Sequence, residues 1–154
     1  MEGCLACDLA EGRLPLPGGR IAETEHWLVD HTVGPLGVGT LIVRPKRHVL
    51  HVWQLDEVET VELGPFFRRV ARALAAVGEP EQIYVTLWSH ADATPGHIHW
   101  VFQPVTRAMM DEFGGLYGPR LQVAMFDRNQ KPPATEVEAI ASRLRGWFEE
   151  NEES

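Results

Sequence analysis

The six residues His97-Ile98-His99-Trp100-Val101-Phe102 constrain this chain more than any other stretch. Successive side chains of a strand point to opposite faces, so Ile98, Trp100 and Phe102 share one face while His97, His99 and Val101 share the other. An apolar face of that bulk must be buried. The strand therefore belongs to a sheet with a core on one side and a candidate site on the other. Two imidazoles two residues apart could be a metal pair, a nucleophile with its supporting group, or a solvated sheet surface. The neighbouring sequence favours chemistry. Pro95-Gly96 precedes the pair as a loop able to bring backbone N–H groups close to a ligand, and Arg44-Pro45-Lys46-Arg47-His48 adds cations and a third imidazole at the end of an earlier strand. A neutral imidazole, with an ordinary pKa of about 6.5, is largely available at pH 7 as a nucleophile toward phosphorus.

Other segments supply the rest of a small α+β domain spanning 1–154. Strands are expected near Ile21, over His26–Asp30, Thr40–Arg44, Ile83–Trp88 and Ile98–Val105, with Leu121–Phe126 as a further strand. Asp56 with Glu59 forms a capping box that starts a helix. Gly64-Pro65 is expected to kink or break it before Phe67, Val70, Ala71, Leu74 and Val77 resume the pattern up to Gly78. Thr135 with Glu138 signals a second capped helix carrying Val137, Ile140, Ala141, Leu144 and Phe148 on one side. The antiparallel sheet is expected to carry its helices on one face, with a strand/helix extension from about residue 105. The acidic tail 149–154 is expected to fray.

Composition narrows the function classes. With 14 Lys+Arg against 22 Asp+Glu the net charge is −8, which excludes a surface built to grip nucleic-acid backbone; any anionic ligand must be met locally. Met1–Ala10 has no basic region and no long apolar run, and no later stretch approaches the roughly 18 apolar residues of a membrane span. A cytoplasmic protein without a membrane partner is expected. The two cysteines are spaced Cys4-x-x-Cys7. A disulfide between them would close too small a loop to stabilise much, and without an export signal it would stay reduced. Metal binding and redox chemistry remain, although no strand precedes the pair as a thioredoxin-like site would require.

At these residues the chain resembles the histidine triad (HIT) family of nucleotide hydrolases and transferases. The family signature is His-φ-His-φ-His-φ-φ, with φ apolar, and His97-Ile98-His99-Trp100 matches its first four positions. Cys4-Leu-Ala-Cys7 with Asp8-Leu9 and Gly12 is similar to the zinc-knuckle segment of the bacterial branch. His26-Trp27-Leu28-Val29-Asp30 is similar to its nucleoside-binding strand, and Gly39 to His48 to its Gly-x-Leu-φ-φ-x-Pro-Lys-x-His stretch. The resemblance implies a HIT-like antiparallel sheet of about five strands with two main helices. His99 would be the nucleophile on the α-phosphate of a purine nucleotide derivative, such as a dinucleoside polyphosphate or a nucleoside phosphoramidate, forming a covalent nucleotidyl intermediate supported by His97. Asp30 would bind ribose, Leu28 would line the base, and Cys4, Cys7, His48 and His97 would hold one structural zinc ion. A homodimer is also implied.

One departure matters. Val101 stands where the family has its third histidine, and Gln103 occupies a following apolar position. His90, Thr94 or Gln103 would then supply the missing donor. The alternative is a nucleotide-binding or regulatory protein with weak or no catalysis.

Overall fold

The computed structural model describes residues 1–88 and 96–151. The elements run α1 (Leu5–Ala10), β1 (Arg20–Glu23), β2 (Trp27–His31), β3 (Leu41–Pro45), α2 (Glu57–Gly78), β4 (Gln82–Trp88), β5 (His99–Val105), α3 (Arg107–Glu112), α4 (Gly118–Arg128) and α5 (Ala134–Glu150). The five strands form one sheet in the order β1-β2-β3-β5-β4 with every pairing antiparallel. This is the α+β architecture expected from the sequence. Among the described residues no helix is long and apolar enough to cross a membrane.

Alternation along β5 separates two cores. Ile98, Trp100 and Phe102 join Trp27, Val29, Leu41 and Val43 beneath α2 and α5, which contribute Phe66, Val70, Leu74, Leu144 and Phe148. Phe67 meets Trp100 and Phe102 edge-on at 5.4 and 4.9 Å between ring centres. Such pairs add about 0.5–1.5 kcal/mol each beyond the area they bury. On the opposite face Val101 and Val105 pack with Leu36, Leu121 and Met125. Both faces are therefore clad, whereas the sequence suggested helices on one face only. The two long helices do share one face; α4 and the short α1 and α3 lie on the other.

Three local expectations are corrected. Leu121–Phe126 is helical and lies inside α4. Pro119 sits in its first turn, and Leu121, Gln122 and Met125 are buried while Val123 is exposed, which is helical periodicity and not alternation. The extension after β5 accordingly contains helices only. The helix expected to kink or break at Gly64-Pro65 is continuous over Glu57–Gly78; the carbonyl that Pro65 leaves without a helical donor belongs to Val61, a residue exposed to solvent. The Asp56–Glu59 capping box is present as expected, with Glu59 N donating to Asp56 Oδ1 at 2.9 Å and Asp56 N to Glu59 Oε2 at 2.9 Å. Its C-terminal counterpart is not. Helix α5 begins at Ala134 behind Pro133, so Thr135 lies within the first turn and no side chain caps it.

Gly18 shows how tightly the β1 approach is packed on α5. Its φ is +72°, and a Cβ there would lie 2.6 Å from the Ala141 Cβ. Gly18→Ala is expected to destabilise the protein by about 2–4 kcal/mol, combining left-handed strain with overpacking. Denaturant unfolding measures it; a loss under about 0.5 kcal/mol would contradict the packing described.

Candidate active site and metal centre

Chain pairing continues beyond the paired strands: Ile98 N donates to Val49 O at 2.9 Å. That bond draws the segment after β3, which carries His48, against the segment before β5, which carries His97. His97 thus precedes β5 instead of lying within it, yet its side chain stays on the His99 side of the sheet. The α1 segment closes the group from above. Cys4 Sγ lies 3.7 Å and Cys7 Sγ 3.6 Å from His97 Nδ1, and Cys7 Sγ lies 3.4 Å from His48 Nδ1. All four ligand atoms fall within 4.8 Å of one another.

These distances suit a tetrahedral ion. Bonds of about 2.3 Å to sulfur and 2.0–2.1 Å to nitrogen put S and N about 3.6 Å apart. His97 Nε2 lies 3.1 Å from the Pro45 carbonyl oxygen. A carbonyl can only accept, so Nε2 carries the proton and Nδ1 keeps its lone pair for a cation; metal-binding histidines are commonly held this way. Burial lowers the His97 pKa to about 4, keeping the ring neutral at pH 7. Burial also raises the Cys7 thiol, a cost that a divalent cation would reverse. The donor set fits a soft-ligand structural metal.

Beside this cluster a cavity of about 380 Å³ opens against the sheet. Its polar wall is His31, Thr32, Arg44, His97 and His99; Leu5, Leu9, Leu36, Ile42, Val101 and Phe126 supply the apolar part. Cys4 and His97 belong to both the cavity wall and the cysteine–histidine set. His99 Nδ1 lies 3.1 Å from the His97 carbonyl oxygen. A carbonyl can only accept, so Nδ1 carries the proton and, in the neutral ring, the lone pair is on Nε2. His31 is committed differently: its Nε2 accepts from Gly39 N at 2.9 Å and its Nδ1 donates to Thr32 O at 2.8 Å. Its pKa is lowered by burial, so it acts as a neutral clamp on the loop behind the cavity.

The other residues singled out in the sequence fall elsewhere. Leu28 and Asp30 are buried and do not line the cavity. Asp30 is held by Arg20 Nε at 2.6 Å and by Arg44 Nη2 at 2.5 Å, which leaves its carboxylate engaged inside the protein. The chain enters the cavity wall one and two residues later, at His31 and Thr32. Gln103 is sealed in the second core, donating to Leu36 O at 3.2 Å and accepting from Gln122 at 3.1 Å. Val101, 1% exposed, is one of the apolar residues around it. His90 and Thr94 lie outside the described residues. Lys46 and Arg47 are exposed, paired with Glu23 and Glu59. Sequence reasoning missed His31 and Thr32 and treated Arg44 only as one of a group of cations.

No protein-family model matches the chain, and no curated protein matches it. Solved structures do. A zinc-bound histidine triad family protein from Mycobacterium smegmatis superposes with a TM-score of 0.69 at 20% identity, over 97% of this chain and 96% of that one. A HIT-like protein involved in cell-cycle regulation from Bartonella henselae gives 0.71 at 16%, over 96% and 97%. A hypothetical histidine triad nucleotide-binding protein from Sulfolobus tokodaii gives 0.68 at 18%, over 94% and 91%. The chain therefore has the fold of histidine triad proteins along nearly its whole length.

Removal of a metal held by Cys4, Cys7, His48 and His97 is expected to free α1 from the sheet. An ion present at about a thousand times its dissociation constant contributes about 4 kcal/mol. Chelation should lower the melting temperature and make both buried thiols reactive. Thiol titration with and without chelator, alongside elemental analysis, checks this; two unprotected thiols in metal-loaded protein would overturn it.

Proposed function

We propose that this chain is a nucleotide hydrolase or nucleotidyltransferase in which His99 Nε2 attacks the α-phosphorus of a purine nucleotide derivative. The observation that carries the reading is the His99 ring in the cavity wall with Nδ1–H donated to the His97 carbonyl. In the first step Nε2 forms a bond to phosphorus and the leaving group departs with the bonding pair. The ring then carries positive charge, which the His97 carbonyl stabilises through Nδ1–H. In the second, water or another acceptor attacks phosphorus and the N–P bonding pair returns to Nε2; a proton from the acceptor passes to solvent. Leu9, Val33, Leu36 and Ile42 offer apolar surface for the base.

Zinc is the ion that the Cys₂His₂ donors select best. Cys4, Cys7, His48 and His97 would supply all four of its ligands, so its contribution would be structural: to hold α1 over the cavity and to steady the His97 backbone that orients His99. The reading is tested by quenching wild-type protein during turnover of an α-phosphorus-labelled dinucleoside polyphosphate or nucleoside phosphoramidate and mapping the label. Label on His99, and loss of turnover by about 10³-fold or more in His99→Ala, are expected. Because Val101 leaves the third triad place apolar, a binding protein without efficient catalysis is the second reading: micromolar nucleotide binding with neither adduct nor product would establish it.

The proposal includes a homodimer formed through β4. This is an outer strand of the sheet, and Val85 and Leu87 are 45% and 42% exposed on it. Unpaired strand edges with apolar side chains favour pairing with another copy. Leu87→Asp combined with Val85→Lys is expected to halve the mass measured by light scattering without changing the far-ultraviolet dichroism. A wild-type protein already monomeric at micromolar concentration would refute it.

A further inference from the structure

We propose that Arg44 is the phosphate-binding cation of the cavity, taking over from the opposite strand the role left open by Val101. The inference rests on the nucleotide reading only for the identity of the ligand that carries the phosphate. Position comes first. The β3–β5 register pairs Leu41 with Phe102, Ile42 with Val101 and Val43 with Trp100. The next step of that register sets Arg44 opposite His99, and both side chains line the cavity. Directly opposed residues on a sheet have Cβ atoms about 4.5–5.5 Å apart. A guanidinium at that place is within side-chain reach of a phosphate attacked by His99.

The second observation is an unfilled donor. Arg44 is 2% exposed. Its Nη2 approaches Asp30 Oδ2 at 2.5 Å but off the hydrogen-bond direction, and its buried Nε has no acceptor among the described residues. Asp30 Oδ1 is taken by Arg20, and Asp30 Oδ2, though close to Nη2, makes no hydrogen bond, so the pair leaves Arg44 Nε and Nη2 both without an acceptor among the described residues. A buried guanidinium N–H without an acceptor is costly, and a ligand oxygen removes that cost. The third observation is charge. Among the described residues Arg44 is the one arginine or lysine in the cavity wall, and no carboxylate lines it. In a chain of net charge −8, this makes Arg44 the cationic group that an anionic ligand in the cavity would meet.

A phosphate monoester satisfies these features together, with one oxygen for Nε–H and the phosphorus presented to His99. A nucleoside without phosphate would leave Arg44 as it is. The test uses the full metal-loaded chain with three probes: a nucleoside monophosphate, the matching nucleoside, and phenyl phosphate, which carries phosphate without a base. Calorimetry gives affinities, and the arginine Nε–H resonances of wild-type protein report engagement without any mutation. The nucleoside monophosphate and phenyl phosphate are expected to shift the Arg44 Nε–H signal, and the nucleoside is not. Arg44→Gln should weaken the monophosphate by about 10- to 100-fold while changing nucleoside affinity less than twofold, with Arg44→Lys recovering part of the loss.

If phosphate-bearing probes bind with the Arg44 signal unmoved, or if Arg44→Gln weakens nucleoside and nucleotide equally, the proposal is overturned and Arg44 is a structural partner of Asp30. Should Arg44→Gln fail to fold, the wild-type resonance still decides. Engagement of phenyl phosphate without nucleotide binding would support Arg44 as an anion site and refute the nucleotide reading. Saturating nucleotide bound beside a silent Arg44, with label still trapped on His99, would do the reverse. No binding of either phosphate at millimolar concentration overturns both.

Discussion

Antiparallel pairing of β3 with β5, carried past the strand ends by the Ile98 amide on the Val49 carbonyl, underlies everything else in this molecule. It sets Arg44 beside His99 and His48 beside His97, and it turns Ile98, Trp100 and Phe102 into the core. A one-residue slip would exchange the two faces of β5. Imidazoles would then enter the aromatic core while Trp100 faced the cavity. The bulk of that aromatic face fixes the register, and the register fixes the chemistry.

The cavity side of the sheet carries polar groups that are mostly out of water. His31, Asp30, Arg44, His97 and Gln103 are all buried. Each buried polar group demands partners, and most have them in the backbone: His31 between Thr32 and Gly39, His97 on Pro45, Gln103 on Leu36. Arg44 and Asp30 are the exceptions, with Arg44 Nε and Nη2 and Asp30 Oδ2 making no hydrogen bond among the described residues, and burial pushes the Arg44 pKa down against the opposing charge of Asp30. Ion pairs at this depth contribute little net stability, because desolvation consumes much of the attraction.

Much of this was legible in the sequence, and the boundary between legible and illegible is physical. Alternation around Trp100 gave β5 its two faces because its apolar residues are large and uninterrupted. The Asp56–Glu59 box marked the start of α2 because reciprocal capping is a local signature. The meeting of Cys4, Cys7, His48 and His97 was legible through a resemblance of spacings, since nothing local in Cys4 or His97 says that they come together. Failures fell where tertiary context decides. Leu121–Phe126 carries apolar residues compatible with either period, and only the buried Gln122 and the exposed Val123 separate them. Asp30 reads as a strand-end ligand, but two arginines from adjacent strands capture it. Arg44 reads as one cation among several because solvated and buried guanidinium groups look alike in a sequence.

The cavity wall joins parts of the chain that are made far apart in time. Cys4 and Cys7 meet His97 across 93 and 90 positions. During synthesis the amino-terminal thiols emerge first and wait for a partner that appears only after β4 has been made. Closing so long a loop carries an entropy cost that an ion held by the four side chains would offset. The cavity wall is thus completed only once Phe126 has been made, and fragments ending before residue 97 contain no version of it.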